Sequence, residues 1–142
     1  MAATPYGAFL SALFAGQLDY QSDTFKLMLA TASYTPNVDT DTTVDQVVAA
    51  EASGTGYTPG GATLTGLDSS YDAVNDWTVI TADPVSFTGA TVSFRYAVIY
   101  RATAAQPQTL IGYIDVGSTQ TITNNDFGFS FPNGLIRFKR TA

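Results

Sequence analysis

Cysteine and histidine are both absent from the 142 residues. Without thiols the chain has no disulfide and no thiolate metal site. Without imidazole it lacks the commonest general base and the commonest metal ligand. Charge is scarce too: 13% of residues are Asp, Glu, Lys or Arg, about half the usual share. Glu51 is the single Glu beside eleven Asp, a skew toward turn and cap formers over helix-surface formers. No apolar run is long enough for a membrane helix. Residues 7–16 match a signal-peptide core in length, but no Lys or Arg precedes them and they repeat with helical period, so no cleaved signal is expected.

What is present points to one β-rich domain. The length suits a single core, and 45% of residues are apolar. A surface with few charges must be covered by Thr, Ser, Gly, Asn and Gln. The net charge of −6 and pI near 4.1 argue against direct nucleic-acid binding, which needs a positive footprint. Of the six cations, Arg137, Lys139 and Arg140 crowd near the C-terminus. They form either a basic edge facing an acidic partner or a charged edge strand that discourages aggregation.

The stretch 91–101 alternates with period two. It places Val92, Phe94, Tyr96, Val98 and Tyr100 on one face, and Ser93, Arg95, Ala97, Ile99 and Arg101 on the other. Residues 110–116 follow a polar connection containing Pro107, and the two runs are expected to pair as antiparallel strands at the centre of a sheet. Upstream, Tyr6, Phe9, Leu10, Leu13, Phe14 and Leu18 recur at helical spacing. Thr4 fits the N-cap, Pro5 the first helical position, and Gly16 the stop. Residues 23–30 read as a strand. Residues 43–50 read as a short helix opened by a Thr42–Asp45 capping box, with Val44, Val47 and Val48 inward.

Further strands are expected at 62–67, 76–81, 85–87 and 119–123, with 68–75 as a turn-rich link and Trp77 in the core. The runs 127–131 and 135–138 bracket Pro132-Asn133-Gly134 and read as a hairpin. The resulting fold class is mainly β, an antiparallel β-sandwich or flattened barrel. An N-terminal amphipathic helix at about 5–16 and the short helix at about 43–50 complete it.

Two motifs fail on inspection. Residues 37–48 space their carboxylates like a calcium loop, but Thr42 stands where glycine is needed and Val48 where a bidentate Glu is needed. The glycine-rich 53–62 lacks the Lys-Ser/Thr ending of a phosphate loop. No cofactor or metal is expected.

Three segments carry a resemblance: Asp23-Thr-Phe-Lys-Leu-Met-Leu-Ala-Thr-Ala-Ser-Tyr-Thr-Pro36; Ser53-Gly-Thr-Gly-Tyr-Thr-Pro-Gly-Gly-Ala-Thr-Leu64; and Phe94-Arg-Tyr-Ala-Val-Ile-Tyr100 with Leu110-Ile-Gly-Tyr-Ile-Asp115. Together they resemble small structural proteins of tailed bacteriophages, found among virion head and tail components. The resemblance implies a non-enzymatic virion part. First among the possibilities is a decoration (cement) protein on the outer capsid surface, bound to the major capsid protein or other virion proteins as a homo-oligomer. It implies no residue-level site. The alternative is a tail, neck or fibre component contacting host-surface glycans through loop aromatics such as Tyr34, Tyr57 and Tyr71. A glycan-active enzyme would need two carboxylates across a sugar, and eleven Asp make some such pair inevitable, so that reading has little weight. Candidate assembly contacts are the arm Met1, Ala2, Ala3, Thr4 and Pro5, then Tyr34 and Pro36 of the loop 31–41, and Tyr57 and Pro59 of the loop 53–61. Each lies in a segment poor in apolar residues and rich in turn formers, hence expected at the surface; for Tyr57 a ring folded back onto the domain is at least an equal alternative.

Overall fold

The computed structural model of the protein describes residues 2–103 and 107–140. Nine strands form two antiparallel sheets. The larger orders β1 (Thr4–Pro5), β8 (Leu110–Phe129), β7 (Val85–Arg101), β2 (Phe25–Ala30) and β4 (Ala62–Thr63), with β3 (Gly54–Thr55) also pairing with β7. The smaller orders β5 (Asp68–Asp72), β6 (Trp77–Thr81) and β9 (Ile136–Lys139). The sheets lie face to face as an open sandwich, so the barrel alternative does not hold.

The predicted central pair is the spine. β7 and β8 pair from Val85–Phe129 to Tyr100–Leu110. Along β7 the residues facing the inter-sheet core are Val85, Phe87, Ala90, Val92, Phe94, Ala97 and Ile99. Steps of two become steps of three after Phe87 and after Phe94, and each odd step coincides with a register shift. The strict alternation expected over 91–101 therefore breaks at Arg95. There one β7 residue, Arg95, faces four on β8, Val116 to Thr119, between the pairs Phe94–Gln120 and Tyr96–Asp115. A bulge switches which side chains point inward. Arg95 holds it: Nε and Nη2 donate to the Asp115 carboxylate at 3.1 and 3.2 Å. Asp115 also accepts from the Gly117 N–H at 2.8 Å.

Beyond the bulge β7 is buried on both faces. Ala97 and Ile99 enter the inter-sheet core with Leu27, Leu29, Ile80 and Ile136. Tyr96, Val98 and Tyr100 join a second cluster with Met28, Ala30, Val44, Val47 and Leu110. Each large side chain so buried contributes about 1.5–3 kcal/mol. The second cluster is covered by residues 31–50, including 3₁₀ turns at Val44–Gln46 and Val48–Ala50 that replace the expected helix. Gln46 Oε1 accepts from the N–H groups of Thr42 and Thr43 at 2.6 and 3.1 Å, so the cap closes on Gln46 instead of Asp45. Val48 turns outward.

The N-terminal helix α1 (Gly7–Phe14) is shorter than expected. Thr4 and Pro5 pair with Tyr113 and Gly112 as β1, and Tyr6 takes the N-cap. Proline tolerates a sheet edge because it has no N–H to leave unpaired. In a two-turn helix only Phe9 and Ala12 become fully buried, and Phe14 is 86% exposed. Gly16, at φ +71°, follows the helix as its stop.

Three further expectations are corrected. Residues 68–72 form a strand opposite β6, with the turn confined to its tip. The predicted hairpin around residues 132–134 is a crossing between sheets. Its turn forms, with Gly134 N–H donating to Phe131 O at 3.0 Å, yet Phe127 and Phe129 pair with β7 while β9 pairs with β6. Turn chemistry fixes a local reversal without choosing the partner strand. Trp77 lies on the outer face of the small sheet, because Ile80 and the cross-strand Ile136 occupy the inner one.

Arg101 ends β7 with its side chain only 1% exposed. Its Nε and Nη2 donate to Pro107 O at 3.0 and 2.9 Å, and Nη1 donates to Gln17 O and to Asp23 Oδ2. Two connections, 15–24 and the one between β7 and β8, therefore converge on one planar donor fork. Replacing Arg101 with Met leaves those carbonyls unsatisfied and should lower unfolding free energy by about 3 kcal/mol or more. Urea denaturation checks this.

Candidate functional site

The expected contact residues do not form one surface. Met1 lies outside the described residues. Ala2 and Thr4 are exposed, Pro5 is half-buried, and Ala3 is buried with its N–H donating to Leu135 O at 2.7 Å. The arm is thus an edge of the large sheet. Pro36 is half-buried and Pro59 exposed.

Tyr34 and Tyr57, both candidate contacts, are buried, so for Tyr57 the alternative of a ring folded back onto the domain holds. The Tyr34 hydroxyl donates to Asp41 Oδ2 at 2.8 Å and meets the Tyr6 hydroxyl at 2.6 Å. Asp41 also accepts from the Asn37 N–H. This network ties the loop 31–41 to the N-terminal segment, helped by Gly7 N–H donating to Val38 O at 3.0 Å. Tyr57 enters the other cluster, where its hydroxyl accepts from Leu29 N–H at 3.0 Å and donates to Glu51 Oε1 at 2.8 Å. The same Glu51 oxygen accepts from Gly60 N–H. Gly61 permits the close approach of this loop: a Cβ there would lie 2.0 Å from Leu27 O, at φ +88°. A phenol carries a polar tip on a large apolar body, so in each loop the tyrosine folds inward once its hydroxyl finds a partner.

The carboxylates show the same use. Ten of the twelve hold turns, tyrosines or arginines in place. They are Asp19, Asp23, Asp41, Glu51, Asp68, Asp72, Asp76, Asp83, Asp115 and Asp126. Among the described residues, no three His, Cys, Asp or Glu converge as a metal site. No described helix is long and apolar enough to cross a membrane.

Several hollows mark the surface of the described residues, of which three bear on function. One, about 580 Å³, lies between the end of α1 and residues 17–23, with Arg101 in its wall. Its polar lining combines the arginine clamp with Asp19, Gln21 and Ser69. An apolar one of about 330 Å³ runs beside Phe94, Ile122 and Phe127 near the edge of β8. The third, about 520 Å³, lies on the outer face of the small sheet and is lined by Trp77, Val79, Asp72, Asn75, Asn133 and Arg137.

In that third hollow the Arg137 guanidinium sits 4.7 Å from the centre of the Trp77 ring, and Lys139 Nζ 5.5 Å from it. Trp77 and Lys139 are directly opposed across the strands. Asp72 lines the same hollow, but its oxygens accept from Val74 N–H, Asn75 N–H and the Asn75 amide. Those bonds hold its pKa below the usual carboxylate value, the Asn75 side chain first among them. The basic C-terminal edge noted in the sequence is therefore a cation–aromatic face. Its signal was legible in part, since Arg137 and Lys139 two apart on a strand must share a face. The pairing with Trp77 had no local signal.

The chain matches no protein-family description, no curated protein and no solved structure.

Burial raises the hydroxyl pKa of Tyr6, Tyr20, Tyr34 and Tyr57 well above that of a free phenol. The folded state therefore keeps protons that the unfolded chain releases near pH 10. Stability from these groups is complete below about pH 10 and falls as pH rises further. Alkaline titration should show tyrosinate absorbance from the buried rings appearing together with loss of circular dichroism, not before it.

Proposed function

We propose that the protein is a non-enzymatic structural component of a tailed-bacteriophage virion, acting as a decoration protein on the outer capsid surface. The observation that carries the reading is how the reactive groups are used. Ten of twelve carboxylates and the buried tyrosine hydroxyls are engaged in holding loops onto the two sheets. An acid–base pair needs groups aimed at a substrate and titrating near working pH. Groups committed to backbone N–H donors do structural work instead.

The sequence resemblance supplies the virion context, and two features of the surface and charge support the reading. Beyond Tyr113, β8 bears Ser118, Thr119, Gln120, Thr121 and Thr123, all exposed. Short polar side chains on a β-surface suit broad contacts made of many modest interactions, which symmetry multiplies. An acidic net charge suits an exterior position better than one against packaged nucleic acid.

A cryo-electron-microscopy reconstruction of the virion carrying this protein tests the reading. The expected result is density repeated over the icosahedral shell, bridging capsomers from outside. Density confined to tail or neck would replace the decoration role with a tail-component role. Absence from the particle would sink both.

A further inference from the structure

The two charged groups left over by the internal bonding lie on opposite sides of the sandwich. Among the described residues, Asp39 and Asp45 are the carboxylates with no hydrogen-bond or ion-pair partner, and both are exposed. They belong to the layer 31–50, which covers the outer face of the large sheet through Val44 and Val47. Arg137 and Lys139 are exposed and have no carboxylate partner among the described residues; the neighbouring Arg140 is paired with Asp76 at 3.0 Å. They occupy the outer face of the small sheet, opposite the inward Ile80 and Ile136. From one side to the other the order is acidic layer, large sheet, core, small sheet, cationic face. The one other cation without a carboxylate, Lys26, is half-buried on β2.

We propose that these faces are complementary, and that the cationic face around Trp77 receives the Asp39–Asp45 layer of a second copy of this chain. Surface ion pairs between two free side chains are weak, partly because both must be immobilised. Here Trp77 holds both cations within 5.5 Å of its ring, so part of that ordering is already done. A chain with net charge −6 repels its own copies through most of its surface. This face is the place where approach of an acidic layer is favourable. The two surfaces differ, so the contact is head-to-tail, and it propagates as a ring or stack instead of closing as a two-fold dimer. The inference stands without the virion reading: a monomer that still binds capsids would overturn it and leave that reading intact.

Analytical ultracentrifugation of the full chain tests it. Wild type should self-associate at low ionic strength, with the dissociation constant rising at least tenfold between about 0.05 and about 0.5 M salt. Arg137→Glu with Lys139→Glu should abolish association, and so should Asp39→Lys with Asp45→Lys. A mixture of the two variants should associate again, because reversed face meets reversed layer. All four positions are exposed, and circular dichroism should show native folding; if the lysine pair misfolds, Asp39→Asn with Asp45→Asn should weaken association at least tenfold. A wild-type chain that stays monomeric at about 1 mM and low salt overturns the proposal. So does association that ignores charge reversal, or folded variants that fail to associate when mixed.

Discussion

Both hydrophobic clusters depend on the pairing of β7 with β8. A strand with one buried face can be replaced by any other that presents the right alternation. β7 beyond Arg95 has no spare face: Ala97 and Ile99 serve the inter-sheet core while Tyr96 and Val98 serve the cluster under residues 31–50. The bulge at Arg95 makes this division possible, since it moves the inward set by one residue without ending the strand. The Arg95–Asp115 ion pair spans the irregularity, and Arg101 anchors the far end of the same strand. The charged residues on β7 thus mark the places where its geometry changes.

This division explains the loops. A sheet buried on one face would leave 31–50 free as a surface connection. Because the large sheet offers apolar side chains on its outer side as well, that segment is drawn down onto it through Tyr34, while Tyr57 carries 53–61 into the inter-sheet core beside Phe87. Their hydroxyls then need partners, and Asp41 and Glu51 supply them. Among the described residues, Asp39 and Asp45 are the carboxylates that this internal bonding leaves over.

Legibility in the sequence followed the range of the interaction. The β class, the pairing of 91–101 with 110–116 and the strand at 25–30 were readable, because each rests on a repeated pattern along the chain. The stop at Gly16 was readable as local chemistry. The burial of Tyr34 and Tyr57 was not, since a glycine- and threonine-rich loop looks the same whether its tyrosine points out or in. The false hairpin at 132–134 has a similar cause. Its turn signal was sound, but strand partnership is decided by β6 and β7, some fifty residues upstream in the case of β6. Trp77 was placed in the core on the strength of its residue type, and its stacking with two cations across the strand pair lies beyond any local pattern.

The four residues from Val116 to Thr119 interrupt the β8 ladder where one residue would suffice. Gly117 there has φ +94°, and a side chain at that point would meet nothing within 4 Å. Extra chain entering just after Gly117 meets no packed neighbour there, and both its ends are held by the strand on either side. The fold therefore contains a ready graft point, where a foreign epitope or enzyme tether joins the sheet while Val116 keeps its place against the core.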